Sequence, residues 1–311
     1  MRKRQWDEAR GHLLRAAACE SGNPFPELVL VELYVETGEY LSAITTLEKA
    51  TKGREDAAFS LFELANDLAG RGATKDAGVG MGRVVENDEI GNIAAMARIR
   101  LADFAATDFN PPSESQMEAL CQSNIHTMGR GEPQGSLDSM FRVLSLRPRA
   151  GRVWFFVGYL FCVGVSGPGN FHERANATRR IADLSMISDE RYKELLQAEQ
   201  ALKLACTFNP ELIEAKVQLA SCYLLLDRPD AVLECADEVF RLRPTNASAY
   251  SLLSQVLLGA GDPLRAARAA RDALEIDSQD LLAIRTLSIL LENELLREAV
   301  QSDLSRKEAQ E

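Results

Sequence analysis

Few residues in this chain have the types and spacing that catalysis or metal binding requires. The histidines are His12, His126 and His172, and none has a second histidine or a cysteine pair at metal-ligand spacing. His172-Glu173 begins like a zinc-peptidase helix but lacks the second histidine of that motif. We therefore predict a non-enzymatic protein with no catalytic residues, no metal site and no cofactor.

A glycine-rich run, Gly78-Val79-Gly80-Met81-Gly82, invites comparison with a phosphate-binding loop. Such a loop follows a strand and carries a further glycine at the right offset or a Gly-Lys-Ser/Thr ending, and this run has neither. It falls in a helical pattern instead. We interpret the glycines as small residues that let two helices pack closely.

The six cysteines form no C-x-x-C pair, and most fall on apolar helical faces. This usage predicts buried, reduced thiols in a cytoplasmic or nuclear protein. No signal peptide is expected, because the chain starts with charged residues, and no run approaches the ~18 apolar residues of a membrane span. The cysteines are Cys19, Cys121, Cys162, Cys206, Cys222 and Cys235.

The chain is acidic, with 46 Asp and Glu against 35 Lys and Arg and a formal net charge of −11. Binding to the phosphate backbone of a nucleic acid needs a concentrated positive surface, so the charge argues against a nucleic-acid partner. The arginines at 265, 268 and 271 form a stripe on one helix, which we interpret as a solvated outer face.

The sequence predicts helices that recur every 34 residues and that position the side chains described above. Pro210 and Pro244 are 34 residues apart and each closes a helix, and a further 34 residues lead to Ser278. One clear unit has Tyr250, Leu253, Ser254 and Leu257 on its first helix, a turn at Gly261-Asp262-Pro263, and Ala266, Ala270 and Ala273 on its second helix.

A second clear unit has Trp154, Val157, Gly158 and Phe161 on its first helix. Pro148 and Pro210 are 62 residues apart, so this unit carries 28 residues beyond the 34-residue period. We place the insertion at about 164–188, between the two helices of the unit. Upstream, Leu30, Tyr34, Ala43, Leu47 and Ala50 mark another unit.

Together these positions resemble the tetratricopeptide repeat, a helix-turn-helix with W-x2-L-G-x2-Y on its first helix and small residues on its second. The resemblance covers nearly the whole chain and implies an all-α, right-handed superhelix of about seven units, several of them degenerate. We expect a single array over 1–311. Its parts are N-terminal repeats (1–109), a degenerate repeat (113–148), the unit with the insertion (151–210), C-terminal repeats (213–295) and a charged tail (296–311).

The resemblance also implies a function, because first helices in this family line a concave groove that binds a segment of another protein. The lysine-asparagine clamp that some members use for a C-terminal carboxylate is absent from the inward positions. The groove is mainly apolar and suits a segment with hydrophobic anchors and basic flanks. The expected groove residues are Phe155, Tyr159, Cys162, Val217, Ser221, Ser251, Gln255 and Arg285. An alternative is that Phe155 and Tyr159 pack on the insertion.

Three other functions stay open. The chain could be a fixed subunit of an assembly, with contacts through its ends and insertion; an RNA-processing repeat protein; or the substrate-recognition region of a longer enzyme. The segment from Trp6 to Cys19, with Ala9, Leu13 and Ala16, reads as a second helix whose first helix is missing. Because an unpaired helix exposes its apolar face, we expect either that the chain continues a longer protein or that this face binds a partner or a second copy.

Overall fold

The computed structural model describes residues 2–19, 23–106, 112–113, 115–117, 119, 133–164 and 188–292, and within them it contains helices and no strand. The chain forms two compact units, residues 1–120 with 141–148 and residues 121–140 with 149–311. The predicted all-α fold is confirmed. Unit 1 contains α1 (Arg2–Cys19), α2 (Phe25–Thr37), α3 (Tyr40–Ala50), α4 (Ala57–Gly70), α5 (Thr74–Asn87) and α6 (Asn92–Ala105).

The remaining helices follow the same alternation. Helix α7 (Pro133–Leu146) contributes residues to both units. Unit 2 continues with α8 (Gly151–Val163), α9 (Asp189–Phe208), α10 (Ile213–Leu225), α11 (Pro229–Leu242), α12 (Ala247–Gly259), α13 (Pro263–Ile276) and α14 (Leu281–Glu292).

Within unit 1, α2 pairs with α3 and α4 pairs with α5. Each pair is joined by a short turn in which a glycine takes a positive φ, Gly38 at 78° and Gly72 at 86°. A side chain is disfavoured in this backbone region, so glycine at these two positions lets the chain reverse within a few residues. The two glycines lie 34 residues apart, which is the period of the repeat.

Within unit 2, α8 pairs with α9, α10 with α11 and α12 with α13, while α14 packs on both α12 and α13. Asp227 and Gly261, also 34 residues apart, hold the positive-φ positions of two turns. Side-chain caps mark the start of several of these helices; for example, the Asn246 side chain accepts a hydrogen bond from the Ser248 amide, and Asp262 accepts one from the Arg265 amide.

The residues that carry the resemblance form the core of each unit. Trp154 and Val157 are fully buried on α8, as are Ala198, Leu202 and Ala205 on the facing helix α9. On α12, Leu253 and Leu257 are buried in one cluster with the alanines of α13, and Ser254 is also fully buried. The structure thus has the helix pairs of a tetratricopeptide-like fold, because the small residues of each second helix meet the large residues of the first.

The unit with the insertion has its two helices where the sequence predicts them. Helix α8 ends at Val163 and α9 begins at Asp189, so the predicted insertion at about 164–188 falls between them. Residues 165–187 lie outside the described residues, as do His126, His172, Cys121 and the charged tail. The division of the array into five parts remains a prediction.

Candidate functional site

The most distinctive surface of unit 2 is an aromatic cluster on α8. The Phe155 and Phe156 ring centroids lie 5.2 Å apart, and those of Phe155 and Tyr159 lie 6.5 Å apart. All three side chains are half-buried, so each keeps part of its ring accessible to solvent. Phe155 and Tyr159 are two of the predicted groove residues. Phe156 was not predicted, because it does not hold an inward position of the repeat.

Three further predicted residues are accessible on the first helices that follow. Ser221 on α10 and Gln255 on α12 are half-buried, and Arg285 on α14 is exposed. The Ser221 hydroxyl donates to the carbonyl of Val217 at 3.1 Å and keeps capacity to accept a hydrogen bond. These three residues would add polar contacts beyond the aromatic cluster.

The structure buries the other three predicted groove residues. Cys162 and Ser251 have no exposed surface and Val217 is only 3% exposed. The Ser251 hydroxyl is used within its own helix, where it donates to the Ala247 carbonyl at 3.0 Å. A bound segment cannot reach these side chains without rearrangement, so they support the first helices from within.

Arg191 joins the two helices that flank the insertion. It lies near the start of α9, and its guanidinium donates to the Phe161 carbonyl at 2.7 Å and to the Cys162 carbonyl, which are among the last carbonyls of α8. Carbonyls in the last turn of a helix have no partner within the helix, so an arginine there satisfies them and matches the helix dipole. The backbone at Gly164 takes a φ of 101° beside this guanidinium.

Unit 1 has a pocket lined by both polar and apolar residues, which the sequence did not predict. Its volume is about 340 Å³. The Arg100 side chain lines it, donating from Nε to Asn66 Oδ1 at 3.0 Å and lying over the Phe104 ring at 4.9 Å. The pocket is lined by Glu63, Asn66, Ala69, Gly70, Arg100, Ser145, Leu146 and Pro148. Asn66 and Arg100 are 34 residues apart. The 34-residue period of the repeat, applied to the N-terminal half, would therefore have predicted that they occupy equivalent positions.

A buried carboxylate anchors the cationic side of this pocket. Asp103 is 7% exposed and accepts hydrogen bonds from Arg100 at 3.1 Å and from Arg142 at 2.6 Å. Because one carboxylate serves two guanidinium groups, its loss would leave two positive charges close together in a partly buried site. The Asp103 side chain therefore fixes where Arg100 lies.

Three of the four described cysteines of unit 2, Cys206, Cys222 and Cys235, are poor nucleophiles. Burial raises the pKa of Cys206 to about 11 and that of Cys235 to about 12. A hydrogen bond with Cys162 and burial raise the pKa of Cys222 well above its ordinary value. Thiols react as thiolates, so these three groups are protonated and unreactive near neutral pH. Cys19 is exposed, which contradicts uniform burial of the cysteines.

Among the described residues, no group of three or more His, Cys, Asp or Glu side chains is arranged to hold a metal ion. No helix in this part of the chain is long and apolar enough to cross a membrane.

No protein-family model matches the sequence, and no curated protein matches it. Solved structures do show likeness. TTC0263, a thermophilic tetratricopeptide-repeat protein of Thermus thermophilus, is 19% identical over 75% of this chain and 99% of that chain, with a TM-score of 0.41. YrrB, described as having an unusual peptide-binding site, is 14% identical over 78% of this chain and 97% of that chain, with a TM-score of 0.38.

A third solved structure is the TPR2AB domain of yeast Sti1 in complex with pHSP90. It is 14% identical over 84% of this chain and 93% of that chain, with a TM-score of 0.37. The likeness to all three is one of fold.

Proposed function

We propose that this chain is a non-enzymatic adaptor that binds a segment of a partner protein on the first helices of unit 2. The observation that supports this proposal is the half-buried aromatic cluster of Phe155, Phe156 and Tyr159 on α8. Aromatic side chains offer large contact area at a low entropy cost, and they are enriched where proteins bind one another.

The chemistry of the surface defines the partner segment. Large apolar side chains would pack on the aromatic cluster, while main-chain and polar groups would meet Ser221 and Gln255. The net charge of −11 favours basic residues on either side of the anchors, because opposite charge raises the rate of encounter. We place the protein in the cytoplasm or nucleus, where such partners would be met.

A random-peptide phage library panned against the purified chain tests the proposal. We expect enrichment of sequences with two or more large apolar residues flanked by Lys or Arg. The Phe155→Glu/Tyr159→Glu variant should lose this binding. Tyr192→Glu is the matched control, because Tyr192 is 46% exposed on α9, outside the aromatic cluster.

Circular dichroism should show equal helicity in the wild type and both variants, since all three substituted side chains reach solvent. Equal peptide binding by the wild type and the double variant would refute the groove proposal. Loss of helicity in the double variant would show instead that the aromatic cluster is structural, as expected if it packs on the insertion.

An assembly subunit that binds through its ends is the second candidate. The observation that favours it is the exposed apolar surface at the last described helix, where Leu281 is 79% exposed and Ile289 is 45% exposed. Contiguous apolar side chains on a surface are typical of interaction sites.

A further inference from the structure

Two cysteines of unit 2 lie together in its core. Cys162 is in the last turn of α8 and Cys222 is on α10, 60 residues later in the chain. The packing of α8 against α10 brings them together, and a hydrogen bond joins the two thiol groups. Both thiols are free, and neither side chain has exposed surface. The pair is therefore arranged so that a single covalent bond could join its two sulfur atoms.

The surroundings of the two thiols are polar and unequal. The Cys222 sulfur lies 3.4 Å from the carbonyl oxygen of Leu195 on α9. The Arg191 guanidinium, which donates to the Cys162 carbonyl, places a positive charge near the Cys162 thiol. Gln218 on α10 forms a hydrogen bond with the same thiol. A negative charge on sulfur is therefore better stabilised at Cys162 than at Cys222.

These contacts shift the two pKa values in opposite directions. The hydrogen bond with Cys222 lowers the pKa of Cys162 against the effect of burial, and Gln218 and Arg191 lower it further. The hydrogen bond with Cys162, burial and the negative charge of Glu199 raise the pKa of Cys222. Because the thiolate is the nucleophilic form of cysteine, Cys162 is the sulfur that reacts first.

We propose that Cys162 and Cys222 form a reversible disulfide when the protein meets hydrogen peroxide. The Cys162 thiolate attacks one oxygen of the peroxide, the O–O bond breaks, and the released hydroxide takes up the proton that Cys162 had lost. This step leaves a sulfenic acid at Cys162. The Cys222 sulfur then attacks the Cys162 sulfur, the S–O bond breaks, and the hydroxide leaves as water with the thiol proton of Cys222. The two thiols are oxidised, and the peroxide is reduced to two molecules of water.

The oxidant reaches the pair at the end of α8. Cys162 is the penultimate residue of that helix, and the next residue after the helix is Gly164, whose backbone lies against the Arg191 guanidinium. The Arg191 side chain is 24% exposed, so the cluster extends from the thiols to solvent. Helix ends open locally at a lower free-energy cost than helix centres. Burial makes this oxidation slower than that of the exposed Cys19, while the adjacent Cys222 protects the sulfenic acid from further oxidation.

The disulfide would join the first helices of two successive units. The sulfur atoms of a disulfide lie about 2.0 Å apart, so thiols that already share a hydrogen bond need only small side-chain rotations to form one. The loop that it closes contains all of α9. Closing a long loop lowers the entropy of the unfolded chain and makes unit 2 harder to unfold. A thiol reductant restores both thiols by exchange. The assignment goes beyond the proposed binding surface and does not depend on it.

The test treats the reduced full chain with hydrogen peroxide at neutral pH and blocks the remaining thiols with an alkylating agent. Cys19→Ser/Cys121→Ser is the starting variant, because it leaves only the four described cysteines of unit 2. Peptide mass mapping without reduction should find Cys162 linked to Cys222. Dithiothreitol should remove the link, and the urea midpoint of unfolding should be higher in the oxidised protein than in the reduced one.

Cys206 and Cys235 are the matched control pair, since both are only partly buried and lie on other helices of the same unit. They should remain alkylatable thiols after the peroxide treatment. A folded starting variant in which Cys162 stays reduced, or links to either control cysteine, overturns the proposal. A link to Cys222 that forms only in urea also overturns it, because the bond would then not depend on native packing.

Single variants made in the starting variant test the order of the two steps. Cys222→Ala should accumulate a sulfenic acid at Cys162, which dimedone traps. Cys162→Ala should give no dimedone adduct at Cys222, and neither single variant should gain resistance to urea on oxidation. An adduct at Cys222 alone would contradict the assigned order. The mapping of the starting variant changes neither member of the pair, so it decides the proposal even where a single variant loses helicity by circular dichroism.

Discussion

Gly158 and Leu202 approach so closely that a Cβ atom on Gly158 would lie 2.5 Å from Leu202 Cγ. The same atom would lie 3.2 Å from the Ala198 carbonyl oxygen, so the backbone of α9 also limits the space. The absence of a side chain at Gly158 therefore sets the distance between α8 and α9, the two helices that flank the insertion.

Gly158→Ala should destabilise the protein by about 1–3 kcal/mol, because the added methyl group overpacks a filled core. Urea unfolding followed by circular dichroism measures this change. Gly82→Ala on α5 is the control, since nothing lies within 4 Å of its added Cβ. We expect that substitution to stabilise by about 0.5–1 kcal/mol through helix propensity. Equal effects at the two glycines would contradict the packing argument.

Trp154→Ala should cost about 3–5 kcal/mol, because it removes a fully buried indole from the α8/α9 core. The protein has two tryptophans, and the other, Trp6, is 41% exposed. Trp6→Ala should change stability by about 0.5 kcal/mol or less, as for most surface substitutions. Intrinsic fluorescence distinguishes the two tryptophans, because a buried indole emits at shorter wavelength than an exposed one. Only Trp154→Ala should lose the short-wavelength emission.

Asp103→Asn should destabilise unit 1 by about 1.5–3 kcal/mol, because it removes the negative charge and replaces one of the two oxygens that accept from Arg100 and Arg142 with an NH2 donor. Thermal unfolding measures the effect. Asp67→Asn is the matched control: Asp67 pairs with Arg71 at 2.8 Å, but both side chains are about half exposed. An exposed pair contributes about 0–1 kcal/mol, so a similar loss in both variants would contradict the role of burial.

Thiol labelling at pH 7.5 should modify Cys19 rapidly and leave Cys206 and Cys235 unmodified in the folded protein. Burial holds these two thiols in the neutral form, with pKa values of about 11 and about 12. A raised pKa stabilises the fold below the ordinary thiol pKa of 9.0, and this contribution is lost as pH rises from 9 through 11 and 12. Stability should therefore fall over that range.

Mass mapping of labelled peptides, in a Cys121→Ser background, identifies the reactive positions. Cys19→Ser should remove the rapid phase, and urea should make every remaining cysteine reactive. Rapid native labelling of Cys206 or Cys235 would show that α9 or α11 opens locally.

The 34-residue recurrence of Pro210, Pro244 and the alanines of α13 was enough to predict the helix pairs. Helix pairing depends on local features that a sequence carries directly: apolar spacing, capping residues such as Asn246 and Asp262, and glycines at turns. The same features predicted that the insertion separates α8 from α9.

The candidate site could be predicted only in part. The register identified Phe155, Tyr159, Ser221, Gln255 and Arg285 as accessible, but it also selected Cys162, Val217 and Ser251, which are buried. Position on a helix gives the direction of a side chain, whereas its exposure depends on how closely the next helix packs. That distance is set by contacts between residues far apart in the chain.

The sequence by itself therefore determined the repeat, the helix pairs and the acidic charge, because each follows from local spacing or from composition. Only the tertiary structure decided which side chains remain accessible. It joined Asp103 to Arg142 across 39 residues and Arg191 to the end of α8 across the insertion. It also showed that α14 exposes the positions that α12 buries. Such relationships depend on packing between helices, which no local pattern encodes.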